Sequence, residues 1–161
     1  MAGTLYMDVS QIQFQDDKSA IDLYQLQELL SLAAFWAKGR SIEDLGIAIT
    51  NSEPVISAWH EKKLVGFARA NSDGIYRATI WDVVIHPNYR GCGLGSTLVK
   101  TVLSHPRMNR VERVYLTTTH QQKFYERLGF QPNTSTTMLF CNNTQLTGVS
   151  TTEQLEESLK V

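Results

Sequence analysis

The chain has 161 residues, of which 42% are hydrophobic, enough for one domain with its own buried core. Its 15 basic and 16 acidic residues give a net charge of −1, which argues against a nucleic acid or an anionic membrane as a partner held by overall charge. The two cysteines belong to no Cys-x-x-Cys or Cys/His cluster, which argues against a zinc site and favours a reducing compartment. We therefore expect a single domain over 1–161 without a metal, a membrane span or an export signal.

Apolar periodicity predicts helices first, then strands, then alternating strands and helices. In chain order, the predicted elements are a strand at 11–14, a helix at 22–39, a short helix at 42–49, strands at 55–59, 63–70 and 80–85, a helix at 94–104, a strand at 113–116, a helix at 121–128 and a strand at 138–141. From about residue 142 to 161 the composition is polar, and we expect a tail or a frayed terminal helix. This order predicts a mixed α/β or α+β fold.

One stretch combines a strand, a glycine-rich turn and a helix. The β-branched and aromatic residues at 80–85 form the strand, and the helix after it begins among Gly91, Gly93 and Gly95, beside Arg90. The start of a helix has unpaired backbone N–H donors and a partial positive charge, so it favours an anion such as a phosphate. We interpret this turn as a binding site for a pyrophosphate.

The spacing of this turn discriminates between phosphate-binding motifs. A Walker loop requires a lysine after its last glycine, but Gly95 is followed by Ser96. A Rossmann fingerprint requires glycine at the position of Ser96 and an acidic residue at the end of the next strand, whereas Glu112 precedes that strand. The motif that the turn does match is Arg/Gln-x-x-Gly-x-Gly/Ala, filled by RGCGLG at 90–95.

A second motif, KFYERLGF at 123–130, follows about 30 residues later. Together the two motifs resemble the GNAT superfamily of acyl-CoA-dependent N-acetyltransferases. More narrowly, IWDVV at 80–84, CGLG at 92–95 and GFARA at 66–70 resemble the cyanobacterial and plastid-type branch, which includes plant serotonin N-acetyltransferases and plastid protein acetyltransferases.

The resemblance implies a mostly antiparallel mixed sheet flanked by helices, with two parallel central strands that splay apart. Acetyl-CoA, the expected cosubstrate, would lie between these strands. Its pantetheine arm would pair with the backbone of Val83, Val84 and Ile85. Backbone amides of the turn would hold its pyrophosphate, and the residues concerned are Arg90, Gly91, Cys92, Gly93, Leu94, Gly95 and Ser96.

The same resemblance assigns two catalytic residues. Asp82 would accept the proton of the amine, and Tyr125 would protonate the departing thiolate. Asp82 lies inside an otherwise apolar strand, and an aspartate that only forms an ion pair or backbone hydrogen bonds at a bulge is an open alternative. Tyr125 taken alone is also typical of a packing residue on an amphipathic helix.

The expected reaction is direct acetyl transfer in a ternary complex to an arylalkylamine such as serotonin or tryptamine, a step of melatonin biosynthesis. Acetylation of protein lysines or N-termini is one alternative, and a non-catalytic acyl-CoA-binding regulatory module is another. We expect a cytoplasmic protein, or a protein of the plastid stroma if it is plastid-encoded. A homodimer is an open alternative to a monomer.

Overall fold

The computed structural model describes residues 7–142 in two compact units that divide after Leu116. The predicted polar tail lies outside the described residues, except for residue 142. The first unit contains a five-stranded sheet, and the second contains a short helix that carries the tyrosine motif.

The sheet has its strands in chain order, β1-β2-β3-β4-β5. The strands are β1 (Ile12–Gln15), β2 (Val55–His60), β3 (Lys63–Ser72), β4 (Arg77–Ile85) and β5 (Arg113–Tyr115). The first three pairs are antiparallel, and β4 pairs with β5 in parallel. The predicted mixed, mostly antiparallel sheet with two parallel strands is confirmed.

Three helices flank this sheet: α1 (Leu23–Ala33), α2 (Ile42–Thr50) and α3 (Leu94–Ser104). Ser41 to Asp44 form a capping-box pattern in the sequence, and the Ser41 hydroxyl accepts the N–H of Asp44 at the start of α2 as that pattern predicts. The first helix was expected to continue to residue 39, but it ends at Ala33. Ala34 is fully buried and leaves the helical conformation, with φ −139° and ψ 90°, and a separate short 3₁₀ turn follows it.

Both faces of the sheet carry a hydrophobic core. One cluster joins α1 and α2 to the sheet and includes Leu30, Leu45 and Leu64. A second cluster includes Val65 and Leu94, at the start of α3. Because neighbouring side chains of a strand point to opposite faces, helices on both faces are needed to bury a strand as apolar as β3.

The second unit contains α4 (Gln122–Glu126), and Gly129 with φ +96° ends the turn that follows it. The prediction of a strand at 138–141 is wrong. The side chains of Met138, Leu139 and Phe140 are between 68% and 90% exposed, and no strand is assigned there. A strand forms only where a neighbouring strand accepts its backbone hydrogen bonds, and an apolar run in the sequence does not reveal such a partner.

Candidate active site

Strand β4 loses its parallel partner after three residues. Arg77 to Thr79 pair with Arg113 to Tyr115, and β4 then continues to Ile85 with β3 as its only strand neighbour in residues 7–142. Residues 80–85 therefore present one backbone edge that β5 does not cover. This is the edge at which the sequence predicts that Val83, Val84 and Ile85 bind the pantetheine arm.

A β-bulge interrupts β4 on its other edge. Phe67 lies opposite Val84 and Arg69 lies opposite Trp81, so Asp82 and Val83 together face a single residue of β3. Asp82 has φ +53°, in the left-handed region. This conformation costs a non-glycine residue about 1–2 kcal/mol, although Asp tolerates it better than most. The strand is therefore strained at its predicted catalytic residue.

The carboxylate of Asp82 is paired with two arginines. Its Oδ2 accepts a hydrogen bond from Arg69 Nε at 2.8 Å and another from Arg40 Nη1 at 2.9 Å, and the side chain is only 7% exposed. The structure thus shows the ion-paired aspartate at a bulge that the sequence left open as an alternative. Because both ion pairs use Oδ2, Oδ1 is the oxygen that could accept a proton from the amine. The role of Asp82 as a base stays a prediction.

Each arginine is tied to a different part of the first unit. Arg69 Nη1 donates to the hydroxyl of Ser52 at 3.1 Å, and this hydroxyl donates to the carbonyl of Ala48 at 2.7 Å. The backbone carbonyl of Arg40 accepts from Gln27 Nε2 at 2.9 Å, which attaches the segment before α2 to α1. The Asp82 carboxylate therefore joins the helical layer to the bulge of β4.

Sequence reasoning missed both arginines. A signal for Arg69 existed, because a charge inside the buried run of β3 requires an acidic partner, and Asp82 is the charge inside the next strand. Arg40 lies in a connection between helices, where a charged residue is ordinary. No sequence pattern pointed to it.

The glycine turn has the properties of an anion site. Gly91 and Gly93 have φ +79° and +83°, and a Cβ added at either would find no atom within 4 Å. Gly93 is the N-cap of α3 and no side chain caps the helix there, so its first N–H groups remain for another acceptor. Leu94 is buried, Cys92, Gly95 and Ser96 are half-buried, and Arg90, Gly91 and Gly93 are exposed. The turn fits the pyrophosphate expected there.

Local hydrogen bonds set the entry into this turn. His86 Nδ1 accepts the N–H of Asn88 at 3.1 Å, and Arg90 Nε donates to the carbonyl of Ile85 at 3.2 Å. Burial, followed by the positive charge of Lys63, lowers the pKa of His86. A neutral imidazole with an unprotonated Nδ1 is the form that this hydrogen bond requires.

Tyr125 lies in α4 of the second unit. Its ring packs edge-on against Phe124 at 4.9 Å and Phe130 at 5.7 Å between centroids. Burial raises the pKa of Tyr125 to about 12, so the phenol is protonated at neutral pH. This is the form that a proton donor requires, and a packing tyrosine has it too.

Comparison with known proteins gives the family. The model of the acetyltransferase (GNAT) family matches residues 15–130. The chain belongs to this family. It is therefore an acetyltransferase of the GNAT class, whose fold uses acetyl-CoA as cosubstrate.

A protein of Pyropia yezoensis, named uncharacterized N-acetyltransferase ycf52, is 38% identical over 74% of this chain and 72% of its own length. Histone acetyltransferase TAP1 of Glycine max is 32% identical over 69% of this chain, which spans 52% of that protein. Among solved structures, a GNAT family protein of Xanthomonas campestris is 28% identical, with a TM-score of 0.69 over 76% of this chain and 86% of that one. The chain spans 54% to 65% of three further ycf52-type relatives.

Residues 7–142 contain no group of three or more His, Cys, Asp or Glu side chains placed to hold a metal ion. Over the same range, no helix is long and apolar enough to cross a membrane.

Proposed function

We propose that this protein transfers the acetyl group of acetyl-CoA directly to a primary amine in a ternary complex. The observation that carries this proposal is the change along β4. Among residues 7–142, residues 80–85 of this strand pair only with β3, so the opposite edge is open. The chain then continues to the start of α3, which no side chain caps. An extended pantetheine arm can pair with such an edge, and the turn beyond it offers N–H donors to the pyrophosphate.

In the proposed reaction, the amine loses a proton and attacks the thioester carbonyl carbon. An ammonium group of pKa about 10.4 must be deprotonated at a cost of roughly 4–5 kcal/mol at pH 7, and Asp82 Oδ1 takes this proton directly or through a water molecule. A backbone N–H on the open edge of β4 donates to the oxyanion of the tetrahedral intermediate. The C–S bond then breaks and the thiolate takes the phenolic proton of Tyr125, while the second proton that the nitrogen loses on forming the amide restores the phenol.

The raised pKa of Tyr125 restricts this last step. A phenol of pKa about 12 transfers its proton unfavourably to a thiolate whose conjugate acid has a pKa of about 8.5 in water. Burial raises the pKa of a thiol as well, so the difference between the pKa values of the phenol and the thiol is smaller when the sulfur is also removed from water. We therefore expect proton transfer only while the sulfur is desolvated.

The favoured acceptor is an arylalkylamine such as serotonin or tryptamine. Trp81 directly precedes Asp82 and is 41% exposed, so its ring is available to pack against an aromatic acceptor. A protein lysine or N-terminus is the second candidate, favoured by the name of the Glycine max relative. We place the protein, as a monomer or a homodimer, in the cytoplasm, or in the plastid stroma if it is plastid-encoded.

A screen of acetyl-CoA consumption tests this proposal. The acceptors are serotonin, tryptamine, polyamines, and peptides with a free lysine or N-terminus. Turnover with the arylalkylamines supports the favoured acceptor, and preferred turnover of a peptide supports the second candidate. Tight CoA binding without turnover of any acceptor would contradict the proposal and indicate a non-catalytic acyl-CoA-binding module.

Replacing Tyr125 by Phe tests the proton donor. We expect kcat to fall by about 100-fold or more, since general acid catalysis contributes at least that much, while the Kd for CoA stays close to that of the wild type. Tyr24→Phe is the control, because Tyr24 is 74% exposed and has no assigned role. Unchanged turnover of the Tyr125 variant would remove its catalytic role.

A further inference from the structure

The two arginines on Asp82 differ in how many of their donors are used. The side chain of Arg69 is 19% exposed and makes hydrogen bonds through both Nε and Nη1. The side chain of Arg40 is 35% exposed, and within residues 7–142 its only hydrogen bond is the one from Nη1 to Asp82. Since a guanidinium has five N–H donors in a fixed plane, Arg40 retains donors for a further acceptor.

This cluster also has an excess of positive charge. Arg40 and Arg69 carry two positive charges, whereas Asp82 supplies a single negative charge. A partly buried charge without a counterion is unfavourable, so the cluster favours a second anion. The planar fork of an arginine matches a carboxylate, which it binds through two parallel hydrogen bonds.

We propose that Arg40 binds a carboxylate of the acceptor, and that the acceptor is an aromatic α-amino acid. In such a molecule the amine and the carboxylate share one carbon atom, so a carboxylate held by Arg40 brings the ammonium group to Asp82, whose Oδ2 is 2.9 Å from Arg40 Nη1. The exposed ring of Trp81 lies next to Asp82 in the chain and can pack against the aromatic side chain. This inference rests on the proposed acetyl transfer and replaces the simple arylalkylamine with its α-carboxylate analogue as the preferred acceptor.

L-tryptophan and tryptamine form a matched pair for the test, because they differ only in the carboxylate. For the wild-type protein we expect kcat/KM to be about 10- to 100-fold higher for tryptophan, the range typical of a hydrogen-bonded charged group. Arg40→Gln should reduce this ratio to near one, mainly through a higher KM for tryptophan. Arg40→Lys, which keeps the charge but lacks the fork, should give an intermediate ratio.

Lys38→Gln is the control variant. Lys38 is an exposed cation two residues from Arg40, and it should keep the wild-type ratio. If Arg40→Gln does not fold, the ratio for Arg40→Lys decides: a lower ratio supports the inference and an unchanged ratio overturns it. A wild-type protein that prefers tryptamine, or that prefers a lysine or N-terminal peptide over tryptophan, also overturns it.

Calorimetric binding of both ligands to the CoA complex separates the two proposals. Tryptophan binding that depends on Arg40, without any acetyl transfer, would support the carboxylate site and contradict the transferase proposal. Acetyl transfer to both acceptors, with a tryptophan-to-tryptamine ratio that Arg40→Gln leaves unchanged, would support the transferase and overturn the carboxylate site. Failure of tryptophan both to bind and to react would overturn the carboxylate site as well.

Discussion

Strand β4 has a first half, residues 77–79, and a second half, residues 80–85, whose surroundings differ. Ala78 and Thr79 pair with strands on both sides, and none of residues 77–79 has a positive φ. Residues 80–85 pair on one side only, contain a bulge, and hold an aspartate with φ +53° between two arginines. Strain of this kind persists only where its surroundings enforce it, and it is concentrated at functional sites. We therefore propose that the first half supports the sheet and that the second half carries the chemistry.

Asp82→Asn should have the largest effect on the second half. Asn tolerates the left-handed conformation but cannot balance two guanidinium groups. We expect a loss of about 2 kcal/mol in the free energy of unfolding, less than for a fully buried pair because the Arg40 side chain is 35% exposed. We also expect kcat to fall by about 100-fold or more, with loss of the acidic limb of the pH–rate profile.

Thr79→Val is the matched control for the first half. Thr79 is half-buried and pairs with Tyr115, so the variant should change the free energy of unfolding by less than about 1 kcal/mol and leave the pH–rate profile unchanged. If Asp82→Asn retains the acidic limb, the proton acceptor is another group, and Asp82 only stabilises the bulge.

Gly93→Ala should have the next largest effect, at the glycine turn that follows residues 80–85. Gly39 provides a close match, with φ +84° against +83° and equally open space at a Cβ. We expect both Ala variants to lose about 1 kcal/mol of stability because of the backbone conformation. Only Gly93→Ala should raise the Kd for CoA, by about 10-fold, because its methyl group lies where phosphate oxygens approach the main chain.

Calorimetric titration with CoA measures this difference. Equal CoA affinity for the two variants would show that the glycine is required only for the turn. A larger loss of CoA affinity in Gly39→Ala than in Gly93→Ala would mean that the pyrophosphate does not bind at the glycine turn.

Features of the fold that are encoded locally could be predicted from the sequence. The cap at Ser41, the glycine turn and the helix at 94–104 each depend on neighbours within a few residues, so their patterns were readable. The partners of Asp82 lie 13 and 42 residues away in the chain, and only the folded sheet brings Arg69 and Arg40 to it. The strand predicted at 138–141 failed for the same reason, since a strand depends on a partner that its own residues do not specify.

His86→Asn should have the smallest effect, directly after the last residue of β4. The lowered pKa of His86 means that the folded protein takes up this proton at lower pH than the unfolded chain, whose histidine has a pKa of about 6.5. The neutral His86 side chain therefore makes its full contribution to the free energy of unfolding above about pH 6.5, and this contribution is lost as the pH falls below that value. Asn at this position can still accept the N–H of Asn88, but it does not titrate.

Urea unfolding at about pH 7.5 and about pH 5 measures this contribution, because the pH dependence of stability counts protons bound on unfolding. The wild-type protein should lose slightly more stability than His86→Asn over this interval. Its CoA affinity should also fall slightly more, since protonation of Nδ1 removes the hydrogen bond that sets the entry into the glycine turn. If both proteins lose the same stability but differ in CoA affinity, His86 acts on the bound cosubstrate rather than on the turn.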